Sequence, residues 1–294
     1  MRIGIVVLPQ GRWRVDADRW RGAERLGFDH AWTYDHLAWR SLADEPWFAA
    51  VPVLAAAALV TERIRLGTWV ASPNYRHPVP FAQELMTLDD LSDGRFTLGV
   101  GAGGTGFDAE VLGRPVLAPR ERVDRLAEFV DLLDRLLTAP STTYRGDRYT
   151  AVAARMAPGC VQQPRLPFVV AANGPRAMRV AARFGQGWAT TGATEGGAEG
   201  AAGWWDGVAG LVRRFEDVLG AAGRDPTEVD RYLSLDAAGY ALESVDAFED
   251  AVGRAAELGF TDVVTHWPRG EGVYAGSEAV LEEVAGRLPA LRAG

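Results

Sequence analysis

Two glycine-containing phrases are the first places where residue type and spacing point to chemistry. In LGVGAGGTG, Leu98 to Gly106, the residues Gly101, Gly103 and Gly106 stand in G-x-G-x-x-G spacing directly after an apolar run. That spelling marks a dinucleotide-binding turn when a helix begins inside it and an acidic residue follows about 20 positions on. Here the phrase runs into Phe107, Asp108 and a loop, in the fourth unit of the chain rather than the first. The glycines are better suited to clearing space at a strand end, where Cβ atoms would collide with a flat ligand. The second phrase, VVAANGPRAM, has the context the first lacks. Asn173 and Gly174 end a strand, and Pro175 opens a helix where its missing N–H costs no hydrogen bond. The next free amides, with Arg176 alongside, can hold a phosphate. An ordinary capped helix would select the same residues.

The other reactive side chains are few. The four histidines show no H-x-H or H-E-x-x-H spacing, so no metal centre is expected. His266 and Trp267 end the last apolar strand and are candidates for a substrate-pocket wall. Trp39 and Trp13 follow strand ends, where an aromatic stacks on a flat ring or shields the core. Trp39 has the stronger claim because it lies close to His36. His77 reads as a capping or packing residue, and His30, at the start of its strand, as structural.

Composition removes whole classes of function. All 31 basic residues are arginine, which closes the lysine-dependent routes: a Walker A loop, a pyridoxal Schiff base, a lysine aldolase. A net charge of −8 offers no footprint for nucleic acid or for an anionic membrane, leaving a small molecule as the expected partner. The single cysteine, Cys160, cannot form an intramolecular disulfide and fits a reducing compartment. The apolar runs Ile3 to Leu8 and Trp47 to Val60 are too short for a signal-peptide core and a bilayer span respectively, so the chain reads as soluble and cytoplasmic.

The elements that must position these residues repeat as strand followed by helix. Strands are expected at Arg2 to Leu8, Asp29 to His36, Ile64 to Val70, Phe96 to Gly103, Pro167 to Gly174, Gly187 to Gly192, Arg231 to Gly239 and Asp262 to Pro268. Most are too apolar to face solvent on one side, as in a buried parallel sheet. Between them lie helical stripes such as Leu126, Phe129, Val130, Leu133 and Leu137. Three helix-to-strand joints nearly repeat, with Gly27, Gly185 and Gly259 where a left-handed helix end is needed. Eight units at about 37 residues each, without a linker, predict an α/β fold: a single (β/α)8 TIM barrel over residues 1–294. Excursions at 104–119 and 192–203 follow strands, so both belong to the face where barrels carry their active sites.

Four phrases then give the chain a resemblance. ERLGFDHAWTYDHL (Glu24 to Leu37), TERIRLGTWVASPNYRHP (Thr61 to Pro78), LDDLSDGRFTLGVGAG (Leu88 to Gly103) and AANGPRAMRVAARFGQGW (Ala171 to Trp188) together resemble the bacterial luciferase-like flavin or deazaflavin oxidoreductases, most closely the branch using coenzyme F420. The resemblance runs from Arg2 to about Trp188. It implies a cofactor ring across the barrel mouth, supported by a cis peptide at Trp69–Val70. It implies further that Gly101 and Gly103 allow the ring's approach, and that Asn173, Gly174, Pro175 and Arg176 take its phosphate. Asp35 and His36 match the family's acidic–His pair at the end of strand two, where groups contact the deazaflavin or exchange a proton. Histidine suits that task because its ordinary pKa lies near neutrality. Strict alternation cannot point both side chains inward, and Trp32 and Tyr34 share the parity of His36, so a bend near Asp35 is expected. Two departures stand out: Gly104 occupies the place where the family's sugar-phosphate dehydrogenases carry a glutamate, and Gln186 replaces the usual aspartate of a D-G-W joint.

The reading is therefore an oxidoreductase using reduced F420 for hydride transfer with a small organic substrate. The alternative is an FMN-dependent monooxygenase activating O2. The family also implies a homodimer, with a separate reductase as a further partner. Two rival classes stay open: a non-catalytic flavin-binding protein, and a barrel hydrolase using Asp35 and Asp236 as paired carboxylates.

Overall fold

The computed structural model describes residues 1–104, 106–192 and 200–293. Its strands are β1 (Arg2–Val6), β2 (His30–Thr33), β3 (Arg65–Thr68), β4 (Phe96–Gly101), β5 (Ser141–Arg145), β6 (Thr150–Arg155), β7 (Phe168–Ala171), β8 (Gly187–Thr190), β9 (Asp230–Ser234) and β10 (Asp262–His266). The helices are α1 (Trp13–Arg25), α2 (Ala50–Val60), α3 (Pro78–Leu91), α4 (Phe107–Val111), α5 (Pro119–Thr138), α6 (Pro175–Phe184), α7 (Gly200–Ala221), α8 (Val245–Glu257) and α9 (Glu278–Ala293). Eight strands close into a barrel in the order β1-β10-β9-β8-β7-β4-β3-β2, every pairing parallel. This is the TIM barrel the alternating units predict, and each expected strand is present, shortened at its C-terminal end.

Two features differ from expectation. An antiparallel hairpin, β5–β6, is inserted between α5 and β7; its pattern of exposed and half-buried residues carries no strong apolar signal. The 104–119 excursion is not all loop, because α4 forms within it behind Gly106, whose φ of 73° needs no Cβ. Of the 192–203 excursion, residues 193–199 lie outside the described residues, and α7 begins at Gly200. No helix among the described residues is long and apolar enough to cross a membrane.

Two cores hold the barrel. The outer one lies between strands and helices, where the α5 stripe of Leu126, Phe129, Val130, Leu133 and Leu137 is buried. The inner one fills the lumen with Trp32, Trp69 and Tyr232, whose rings meet at 5.2 Å and 5.9 Å from Trp32. Such bulk fits because facing positions lack a side chain. A Cβ on Gly67 would stand 2.3 Å from the Trp32 ring, and one on Gly187 2.8 Å from Tyr232. Below them, at the N-terminal end, His30 Nε2 meets Asp262 at 3.0 Å and Arg2 Nε donates to the same carboxylate at 2.8 Å. His30 is thus structural, and the lumen is plugged beneath the mouth.

Candidate active site

The C-terminal ends of β2, β3, β4 and β7 lie side by side at the mouth, and the chain beyond β2 supplies its reactive groups. The expected bend at Asp35 is corrected: alternation persists past the strand, so neighbouring side chains diverge. Tyr34 and His36 share one side, their rings 6.0 Å apart. Asp35 takes the other and is fully buried. It accepts from the Tyr75 hydroxyl and from Arg76 through Nε at 3.1 Å and Nη2 at 2.6 Å. Burial opposes the Arg76 charge, but the contacts with Asp35 more than offset it and raise its pKa. Burial likewise raises the Tyr75 phenol, with the Asp35 charge adding to it. Asp35 therefore locks the segment after β3 to the end of β2, and does not form an acid–base pair with His36.

The partner of His36 is Asp108, on the short helix α4. Its Oδ2 lies 2.8 Å from His36 Nδ1, and its Oδ1 accepts the Leu37 amide at 2.7 Å. A carboxylate only accepts, so in the neutral imidazole Nδ1 carries the proton and Nε2 is the acceptor. Trp39 lies 4.7 Å from the imidazole at 33°, and Trp47 Nε1 donates to the His36 carbonyl at 2.8 Å. His36, Trp39 and Tyr34 are thus brought together. Sequence reading misses Asp108; the one available signal is an acidic residue in a helical first turn behind a glycine.

Small residues line the adjoining strand ends. The Trp69–Val70 peptide is cis, and its Val70 side chain occupies room left by Gly101, where a Cβ would lie 3.0 Å from Val70 Cγ2. Gly103 has a φ of 74°, and its Cβ would strike the buried Asn74 at 2.2 Å. These glycines serve close packing of the strand ends, where Ala71 is fully buried and Ala102 and Ala171 are half-buried. Asn173 bridges two strand ends, donating to the Gly192 carbonyl at 2.9 Å and accepting from Thr190 Oγ1 at 2.7 Å. Gly174 is the N-cap of α6, with Pro175 at its first turn, and among the described residues a Cβ placed on it would meet nothing within 4 Å. Arg176 is turned away to an exposed ion pair with Asp124. The small residues at the strand ends and the Gly174 terminus fit a flat heterocycle with a phosphate, held by amides rather than by Arg176.

Across the mouth, His266 and Trp267 part company by the same alternation. Trp267 belongs to the outer core, its Nε1 bonded to Glu278 at 2.9 Å and its ring 3.0 Å from a Cβ on Gly22. It does not wall the mouth. His266 is buried against Tyr34 and Tyr274, and Asp236 is bonded to it. Asp35 and Asp236 are each buried and bonded within separate networks, so neither is presented to a substrate as a hydrolase's carboxylate pair would be. A cavity of about 420 Å3 opens at the opposite end of the barrel between Arg2, Asp29, Asp230 and Arg292. It holds ion pairs and none of this machinery.

The fold is a closed parallel α/β barrel whose mouth carries a histidine–carboxylate pair. The family model described as luciferase-like monooxygenase matches residues 1–239, and the chain belongs to that family. It is 37% identical over 172 residues to a protein from Amycolatopsis mediterranei named F420-dependent glucose-6-phosphate dehydrogenase, covering 58% of this chain and 50% of that one. It is 30% identical over 260 residues to the F420-dependent hydroxymycolic acid dehydrogenase of Mycobacterium tuberculosis, covering 86% and 65%. The chain thus spans about half the length of the first of these relatives. The F420-dependent tetrahydromethanopterin reductase of Methanopyrus kandleri superposes with a TM-score of 0.79 over 99% of both chains at 20% identity, a likeness of fold.

Proposed function

We propose that this protein is an oxidoreductase that binds coenzyme F420 at the barrel mouth and exchanges hydride between it and a small organic substrate. The observation that carries the reading is the His36–Asp108 pair standing at the mouth with the small-residue ends of β3, β4 and β7. His36, oriented by its Nδ1 contact with Asp108, presents Nε2 to take or give the proton that accompanies hydride transfer. Trp69, Val70, Gly101 and Gly103 would support the ring, and Asn173, Gly174 and Pro175 would shape the phosphate end, with α6 amides as donors. Bound there, F420 supplies the two-electron chemistry that no side chain of the protein can.

The names of the relatives support F420 over FMN, and the position of Gly104 argues against a sugar phosphate as substrate. Trp39 would shape the substrate side, with His266 buried behind Tyr34. We place the enzyme in the cytoplasm as a homodimer, with a separate reductase supplying reduced cofactor. The test is quenching of tryptophan fluorescence by F420 and by FMN, followed by turnover with the cofactor that binds. Micromolar F420 binding with F420-linked turnover is expected. Tight FMN binding and none for F420 would replace this reading by the FMN-dependent monooxygenase, and binding without turnover by a non-catalytic carrier.

A further inference from the structure

A second chain of proton-bearing groups runs from Tyr34, beside His36, to His266 at the end of β10. Asp236 Oδ2 accepts from His266 Nδ1 at 2.6 Å and from the His266 amide at 2.8 Å. Its Oδ1 accepts from the Ala241 amide at 2.9 Å, and Thr265 Oγ1 lies 3.1 Å from both oxygens. A carboxylate is acceptor-only, so in the neutral imidazole Nδ1 bears the proton and Nε2 accepts. The group it faces is the Tyr34 hydroxyl, 2.9 Å away. Tyr34 Oη in turn lies 3.2 Å from Tyr274 Oη. Donation therefore runs one way, from the tyrosines through His266 to Asp236.

The charges set this chain apart from two other buried carboxylates, Asp35 and Asp262. Asp35 is matched by Arg76 and Asp262 by Arg2, each a permanent cation. Asp236 is held instead by neutral amides, a hydroxyl and the imidazole, although its side chain and that of His266 are each 1% exposed. A proton arriving on His266 completes an ion pair with it. Groups facing His266 are Asp236, Tyr34, Tyr274 stacked on it at 3.7 Å and 6°, and Tyr240, whose hydroxyl donates to the His266 carbonyl at 2.8 Å. A flanking ion pair is Arg269–Glu45, and Arg269 is tied to the Tyr274 segment through its amide at 2.9 Å.

We propose that Tyr34, coupled through His266 to Asp236, is a second proton-carrying group of the mouth, acting on a hydroxyl or carbonyl oxygen of the substrate. This rests on the F420 reading above. In alcohol oxidation the substrate O–H passes its proton to Tyr34 Oη while the Tyr34 O–H proton passes to His266 Nε2. The C–H bond breaks with its two electrons going as hydride to the deazaflavin acceptor, and the C=O bond forms. His266 is left as imidazolium against the Asp236 carboxylate, and reduction runs the same steps in reverse. His266 and Asp236 are positioning residues, and Tyr34 is the group that meets substrate.

Two measurements test it. In protein labelled with 15N-histidine and free of cofactor, long-range proton–nitrogen correlations should show His266 protonated at Nδ1 with Nε2 bare. Tyr34→Phe should shift that Nε2 resonance. A protonated Nε2, or no change in Tyr34→Phe, overturns the relay whether or not F420 is the cofactor. In the holoenzyme, with oxidised F420 and a panel of small secondary alcohols, Tyr34→Phe should lower kcat about 100-fold. KM and the quenching affinity for F420 should change less than about threefold, and Asp236→Asn should move the pH–rate profile. Turnover of Tyr34→Phe within threefold of wild type overturns the proposal. Absence of turnover in the wild type counts against the F420 reading instead, and the nitrogen spectra then decide the relay alone.

Discussion

The mouth carries two histidine–carboxylate pairs that look alike in outline and are built differently. In each, Nδ1 points to an aspartate, at 2.8 Å for His36–Asp108 and 2.6 Å for His266–Asp236. His36 stands beyond the end of its strand, held by a five-residue helix and two backbone contacts, with its side chain 13% exposed. His266 is the last residue of β10, 1% exposed, under the ring of Tyr274. A group that must touch a ligand needs an open nitrogen. A group that acts through a neighbour gains from enclosure, where its hydrogen bonds are not shared with water. The difference assigns direct contact to the first pair and relay to the second.

Substitutions can break this contrast. The largest effect is expected from His36→Ala, with kcat lowered by about two to four orders of magnitude and F420 affinity from fluorescence quenching nearly unchanged. Full activity in that variant would transfer the direct role elsewhere. Next is stability: Asp236→Asn leaves several of its donors without an acceptor, and urea unfolding should show a loss of about 3 kcal/mol. Asp108→Asn, with two donors to disappoint, should lose about 1 kcal/mol by the same measurement. Equal losses would erase the distinction between a carboxylate with several donors and one with two.

A third His–Asp contact, at the barrel floor, sharpens the comparison as a control. Burial alone would raise the Asp262 carboxyl, but the hydrogen bonds from His30 and Arg2 bring it below its ordinary value. A depressed folded pKa contributes stability that is present above the unfolded value, about 3.9, and is lost as pH falls through the folded one. Urea midpoints should therefore drop as pH falls below about 4, and Asp262→Asn should flatten that acid limb without moving the pH dependence of turnover. The smallest effect is expected from Arg176→Ala. Its ion pair with Asp124 is exposed on both sides, so unfolding should change by less than about 1 kcal/mol. If phosphate is held by α6 amides, F420 affinity should fall by less than about threefold, and a larger fall would return Arg176 to the site.

Much of this architecture is legible in the sequence because it follows from local pattern. Apolar runs bounded by glycine and alternating with amphipathic stripes allow few arrangements other than a parallel barrel, and the hairpin β5–β6 escapes because its alternation is weak. The same strand parity that puts Trp32, Tyr34 and His36 on one side holds at Asp35, where a bend is expected from the sequence. What looks like too much bulk for the lumen is admitted by Gly67 and Gly187 on other strands, a compensation no single strand displays. Trp267 differs from its expected place by one step of the same parity.

The residues that complete the site are hidden for a different reason. Asp108 lies 72 positions from His36, and Asp236 lies 30 from His266. Nothing in the spacing announces either pair. The sequence alone determined the order of elements, which strand ends would be bare, and the candidate histidines, since those depend on neighbours along the chain. Closure of the barrel decided which carboxylate faces each imidazole, and that Asp35 serves Arg76 instead. Hydrogen bonds are made at about 3 Å in space, whatever distance separates the partners along the chain.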